Sequence, residues 1–268
     1  PPYTFGFNTI SNEITIAGPN AVVTASNITY WMGIDKFYVY SGRVDTLPCA
    51  LRQYVFDDIN EGQLDQVYAG TNEKFNEVWW FYPSSSTADS DNPSNDRYVV
   101  YNYLEKIWYY GQMPRTAWYD SHIRTYPVAT NDGILYLHEN GVDDYTTNPP
   151  SPINSYIESS DFDLGEGDKF SFIKRIIPDV DFIGSQTSSP AVTMTVSVRN
   201  FPGQGTFTTS DSEIVSSNQV SIQVYDYTHQ EWIRLRGRQV AFRISSNTLG
   251  VKWQCGVPRL DLREDGRR

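Results

Sequence analysis

The sequence predicts an all-β chain, and three observations carry that expectation. Aromatic residues make up 15% of it, and large rings pack well on pleated surfaces. They fall in short runs that flank Gly, Asp or Asn turns. No long stretch repeats its apolar residues at helical spacing.

Taken in order, residues 3–10 read as an opening strand, Ser11-Asn12-Glu13 as a turn, residues 14–16 as a short strand, and Gly18-Pro19-Asn20 as another turn. Residues 21–25 form a strand leading into the most distinctive stretch of the chain. There Ile28, Thr29, Tyr30 and Trp31 run up to Gly33-Ile34-Asp35, and Phe37, Tyr38, Val39 and Tyr40 return. β-branched and aromatic residues on both sides of a Gly/Asp turn read as a β-hairpin. After the Pro48 loop, Leu51, Tyr54, Val55 and Asp58 share helical spacing, so residues 51–59 read as a short helix or single turn. Residues 64–69 start the next strand, and residues 77–82, EVWWFY, form an aromatic arm.

Residues 83–96, PSSSTADSDNPSND, are polar and lack aromatics. They read as an exposed flexible loop. Asp89, Asp91 and Asp96 invite a calcium reading, but the Gly and closing Glu of a helix-loop-helix calcium loop are absent, so a solvated loop is expected. About 70 residues after the first hairpin a related unit appears: residues 97–101 turn through Asn102 to Lys106 and return as residues 107–111. Residues 113–120 link it to a strand over 122–129, where Pro127 marks an edge or bulge. Asp132-Gly133 supplies a hairpin turn before a last arm, residues 133–141. Repeated aromatic hairpins closing at a glycine are the sequence form of propeller blades.

Residues 141–152, GVDDYTTNPPSP, form the domain boundary, because Gly, Asp pairs and three prolines crowd into one segment. The expected organisation is propeller-like blades over 1–148 and a β-sandwich-like domain over 149–268. The second part is poorer in aromatics and richer in Ser, Thr, Val and Ile. Strands are expected at 156–162, 173–182, 191–199, 219–225, 232–235, 239–245 and 251–254, with regular turn signals between them. Residues 206–217 read as a mobile Ser/Thr-rich loop and residues 259–268 as a polar tail.

The formal net charge is −11. That disfavours wrapping of nucleic acid, which needs clustered Lys and Arg. No run of 18 apolar residues occurs, so no membrane span is expected. No secretory signal opens the chain, and it starts Pro-Pro rather than Met, as a processed form or a segment of something longer would. The Asn27-Ile28-Thr29 sequon is a chance match in that setting. Cys49 and Cys255 lie far apart in sequence without metal spacing and read as two free, buried thiols.

No nucleophile elbow, phosphate loop, zinc-protease motif or dinucleotide fingerprint is present. No catalytic residue, cofactor or metal is therefore expected. His122, His138 and His229 have no ligand spacing and read as satisfied or solvated. The tightest carboxylate groups, Asp57-Asp58, Asp143-Asp144 and Asp161/Asp163, read as turn formers. The sharpest local feature is Arg234-Leu235-Arg236-Gly237-Arg238. Residues two apart on a strand share a face, so Arg234 and Arg236 point one way, Ile233 and Leu235 the other. Gly237-Arg238 reads as a bulge, because the apolar phase switches afterwards. Either this is an exposed strand face, or it is an arginine patch that meets an acidic neighbour, extended by Arg263, Arg267 and Arg268.

The stretch WMGIDKFYVYSGRVDTLPCALRQYVFDDIN, the later RYVVYNYLEKIWYYGQMPRTAWYD and the closing RGRQVAFRISSNTLGVKWQCGVPRLDLREDGRR resemble virion proteins of tailed phages, of the head-to-tail stabilisation, tail hub or tail nozzle type. The resemblance covers residues 21–145 well and 230–268 moderately. It implies a propeller-containing structural protein and no enzyme activity. It implies a homo-oligomeric ring, commonly a hexamer, with portal, adaptor or other tail proteins as partners. DNA would pass through the lumen without sequence-specific binding. The protein would be assembled in the host cytoplasm and located at the tail or head-to-tail junction of the virion. Only about three blade-like units are visible, too few to close a propeller, so the resemblance implies either further blades on a preceding segment or a fragment of the family's usual length. The competing reading is a carbohydrate-binding or glycoside-cleaving propeller that stacks sugars on Trp79, Trp80 or Trp108.

Overall fold

A computed structural model describes residue 6 and residues 9–87, 94–120, 123–201 and 219–266. The chain is all-β, built of several antiparallel sheets, and no closed barrel or closed propeller forms among the described residues. It divides into two compact units, Pro1–Asn140 and Gly141–Arg268.

The first unit is a series of meanders. β1 (Val22–Ala25), β2 (Ile28–Met32), β3 (Phe37–Tyr40) and β4 (Val44–Leu47) pair in chain order. Helix α1 (Arg52–Asp58) and a 3-10 segment (Glu61–Gln66) follow. A second four-stranded sheet is β5 (Tyr68–Asn72), β6 (Glu77–Tyr82), β7 (Arg97–Asn102) and β8 (Ile107–Gln112), again in chain order. The third sheet is β9 (Ala117–Tyr119), β10 (Val128–Asn131) and β11 (Ile134–Leu137). The first strands of the three sheets lie side by side, β1 against β5 and β5 against β9.

The sheets stack face to face through two cores. Tyr30, Met32 and Phe37 of the first sheet pack with Val78, Trp80, Tyr82 and Val99 of the second. Trp79, Phe81 and Val100, on the opposite face of the second sheet, pack with Trp118 and Ala129 of the third. This is why β6 has no polar alternation: a strand buried on both faces reads as a continuous apolar run. Gly70 makes one close approach possible. A Cβ there would lie 2.2 Å from Trp118 Cδ1, and the Trp118 indole instead lies against β5 and donates to the Thr71 carbonyl at 2.7 Å. Asp132 and Gly133 both take positive φ, 48° and 74°, at the β10–β11 turn, which only a short polar residue and glycine accommodate readily.

In the second unit, β12 (Asp143–Asp144) pairs with β13 (Ser151–Pro152). β14 (Ser155–Glu158) and β15 (Phe162–Asp163) both pair with β21. β16 (Ser171–Ile177) and the short β17 (Val180–Asp181) are separated at Pro178. β18 (Ala191–Arg199), β19 (Gln219–Tyr225), β20 (Glu231–Gly237), β21 (Gln239–Ser246), β22 (Gln254–Cys255) and β23 (Arg259–Glu264) complete the unit. One sheet runs β14-β21-β18-β19 with β15 alongside, a second runs β20-β16-β23, and β17 pairs with β22. The two larger sheets share one core: Val192, Met194, Val196, Val198 and Ile244 from one, Ile173, Ile176, Ile233 and Leu235 from the other. β18 alternates strictly, even positions buried and odd positions outward. Its outer Thr193 and Thr195 bond across to Gln223 and Ser221.

Several sequence expectations are corrected. Residues 14–16 form no strand; Thr15 accepts from the Trp31 indole through its carbonyl, at 3.1 Å, as an extended cover on the first sheet. Most of residues 3–10 lie outside the described residues, as do residues 206–217, Asp89 and Asp91. The ends of the 83–96 loop are fixed rather than free. Ser84 and Asn95 are buried, and Asp96 accepts from the Ser84 amide and hydroxyl, each at 2.8 Å. β9 lies in the segment read as a linker, and the strand expected at 122–129 begins only after Pro127.

Gly237-Arg238 is not a bulge. Arg238 is the corner at which the chain leaves the β20 sheet for the β21 sheet. Its amide donates to the Arg199 carbonyl and its carbonyl accepts from Leu164, both at 2.8 Å. Gly237 is tightly packed there: a Cβ would lie 2.7 Å from Val198 Cβ and 3.0 Å from the Arg199 carbonyl. No helix among the described residues is long and apolar enough to cross a membrane.

Candidate functional site

The outer face of the β20-β16-β23 sheet collects the arginines singled out in the sequence. On β20, Ile233 and Leu235 are buried while Trp232, Arg234 and Arg236 are exposed, as period-two alternation requires. Phe172 of β16 lies directly between Arg236 of β20 and Arg263 of β23, so these three side chains share a face. An irregularity in β16 between Ile173 and Arg175 brings Lys174 and Arg175 beside Trp232. The Lys174 ammonium lies 5.2 Å and the Arg175 guanidinium 5.7 Å from the indole centroid. Trp232 is nevertheless 60% exposed.

The cations on this face do different work. Arg175 pairs with Asp261 at 3.3 Å and donates to Gln230 at 2.8 Å. Arg236 is ion-paired with Asp265, and its guanidinium lies 3.9 Å from the centroid of Phe170. Arg238 covers the same ring at 4.6 Å. Arg236 and Arg238 therefore cap a buried phenylalanine. Arg234, Lys174 and Arg263 are exposed and make no ion pair among the described residues. Arg267 lies outside the described residues.

A second cluster, in the first unit, was not visible in the sequence. Asn72 and Glu77 are cross-strand partners on β5 and β6. Tyr109 donates to one Glu77 oxygen at 2.6 Å and the Trp79 indole to the other at 3.0 Å. Asn72 donates to Glu139 at 3.5 Å. Burial pushes the carboxyls of Glu77 and Glu139 above the ordinary range. For Glu77 the two hydrogen bonds oppose that rise and the Glu139 charge adds to it; for Glu139 the Lys74 ammonium opposes it. Burial and the adjacent Glu77 carboxylate also push the Tyr109 hydroxyl up. Beside this cluster His138 accepts from Arg115 Nε at 2.9 Å and packs on Trp118. Burial, then the Arg115 charge, lowers its pKa to about 4. Nothing marked Glu77 or Glu139 in the sequence, because each sits at the end of an apolar run where a solvated charge is normal.

Most of the carboxylates that the sequence did mark have other partners. Asp58 meets Arg97 at 3.6 Å, Asp161 meets Arg199 at 2.6 Å, and Asp163 accepts from Gln239 at 2.9 Å. Both oxygens of Asp143 accept from the Gly250 amide, at 2.9 and 3.1 Å. Among the described residues no three His, Cys, Asp or Glu side chains converge to hold a metal. Trp79 and Trp80 are buried, and Trp108 packs on Phe37, Trp80 and Tyr101. Both cysteines are free, but neither is fully buried: Cys49 is half-buried and Cys255 is exposed, the latter on a two-residue strand with little to cover it. His122 lies outside the described residues. No family model and no curated protein matches the chain.

Proposed function

We propose that this chain is a non-enzymatic structural component of a tailed-phage virion, part of the tail nozzle or head-to-tail connector ring through which DNA is retained and ejected. The observation that carries the propeller side of this reading is the arrangement of the first unit. Three meanders follow one another in chain order, stack face to face, and set their first strands β1, β5 and β9 side by side. Radial repetition of meanders around a set of inner strands is how propeller blades are built. In this reading the second unit is a β-sandwich, since its two larger sheets enclose one core. The tail-protein resemblance of residues 21–145 and 230–268 supplies the virion setting, and the net charge of −11 suits a wall past which DNA slides without sticking. The carbohydrate reading draws nothing from Trp79, Trp80 or Trp108, which serve as packing.

The test is made on particles. An antibody against this chain is expected to label the tail or the head-to-tail junction of phage whose genome encodes it. Negative-stain images of the chain with tail proteins added are expected to show rings with a central hole of roughly 20 Å or more, the width a duplex needs. Unlabelled particles together with an absence of rings would refute the proposal.

A further inference from the structure

We infer that the outer face of the β20-β16-β23 sheet docks against the acidic surface of a second copy of this chain, in a head-to-tail contact. The inference rests on the ring reading in one respect, that copies meet one another.

The chain carries 32 acidic and 21 basic residues, so two copies approaching at random repel each other. Association needs a face of opposite sign. On this sheet Lys174, Arg175, Arg234, Arg236 and Arg263 share a face on which Asp261 and Asp265 are each ion-paired to one of those cations. Lys174, Arg234 and Arg263 remain exposed beyond those pairs. Charges of the opposite sign are present on the same chain: Asp57 on α1 and Glu61 and Asp65 on the 3-10 segment after it are exposed and have no ion-pair partner among the described residues.

The face also has what a solvated charge patch lacks. Trp232 stands 60% exposed between the cations. Tryptophan and arginine are the residue types that dominate binding energy at interfaces, and an exposed indole loses water favourably when covered. Charge then dictates geometry. An isologous contact would set this basic face against itself, at a cost in like-charge repulsion. A heterologous contact sets it on the acidic surface of the next copy, and heterologous contacts generate rings or filaments.

The experiment measures self-association of the full chain by sedimentation over a range of concentration and salt. Wild type is expected to associate, and to dissociate as salt rises from about 0.01 M to 1 M, over which the screening length falls from roughly 30 Å to 3 Å. The triple variant Lys174→Glu, Arg234→Glu, Arg263→Glu is expected to weaken association at least tenfold at low salt. Trp232→Ala is expected to weaken it without changing the salt dependence. Arg43→Glu, a reversal on the other unit whose target side chain is 83% exposed, is the control and should associate like wild type. A wild type that stays monomeric throughout overturns the inference, as does a triple variant that associates like wild type or an Arg43 variant that weakens as much as the triple. Particle labelling is unaffected by any of these results, so the virion reading stands or falls separately.

Discussion

Tyr109 donates a 2.6 Å hydrogen bond to Glu77 across the strand β7 that lies between them in the second sheet. The carboxylate's other oxygen is taken by the Trp79 indole. A buried acid is thereby held between two aromatic donors, with Glu139 close enough to disfavour its ionisation further.

The consequence for stability has a definite sign. The folded pKa of Glu77 lies above 4.5, so the folded state holds its proton more tightly than the unfolded chain does. The stability this contributes is complete below pH 4.5 and is lost as pH rises through the raised pKa. Glu77→Gln is expected to show a shallower fall in melting temperature over that rise than wild type. Thermal scans at half-unit pH steps measure it; an equal or steeper fall in the variant would assign the effect to another group.

His138 works in the opposite direction. Its pKa falls from 6.5 to about 4 on folding, so the unfolded chain takes up a proton first as pH drops. Stability is unaffected above pH 6.5 and declines as pH falls from 6.5 toward about 4. His138→Gln, which keeps an acceptor for Arg115, is expected to lose less stability across that window. The readout is the difference between variant and wild-type melting temperature against pH, with imidazole chemical shifts fixing the titration itself.

Gly70→Ala tests the stacking of the second sheet on the third. The added carbon would meet the Trp118 indole, which must move and give up its bond to Thr71. Overpacking of this kind costs about 1–3 kcal/mol. Denaturant unfolding followed by tryptophan fluorescence should show the lowered midpoint, and the indole NH of Trp118 should lose its protection from exchange.

The two thiols should differ in reactivity. Burial pushes Cys49 up to about 11, and the side chain is partly enclosed. Cys255 is exposed, although burial and Asp179 raise its pKa too. A thiol-specific label at pH 8 is expected to modify Cys255 first, and peptide mapping at early times would show the order.

Much of the first unit was legible because its strands are aromatic and its turns carry Gly, Asp or Asn. The β2–β3 and β7–β8 hairpins announce themselves in this way, as does the turn at Asp132-Gly133. What was hidden is tertiary. The residues Trp79 and Trp80 say that β6 is apolar, but not that each ring belongs to a different core. β9 carries little sequence signal, because Pro114 and Arg115 precede it and only Ala117, Trp118 and Tyr119 form it. The period-two spacing of Arg234 and Arg236 located the basic face from sequence. The role of Arg236 and Arg238 as covers for Phe170 was not legible, because Phe170 lies over sixty positions away in the chain. The Glu77–Glu139 cluster was invisible for the same reason.

The corner at Arg238 has a mechanical consequence. One residue connects β20 to β21, and those strands belong to different sheets. Its amide and carbonyl are both tied down, to Arg199 and Leu164. The sheets therefore have no slack at that seam and cannot be peeled apart like pages. A strain on one of these two sheets is passed to the other through a single tethered residue.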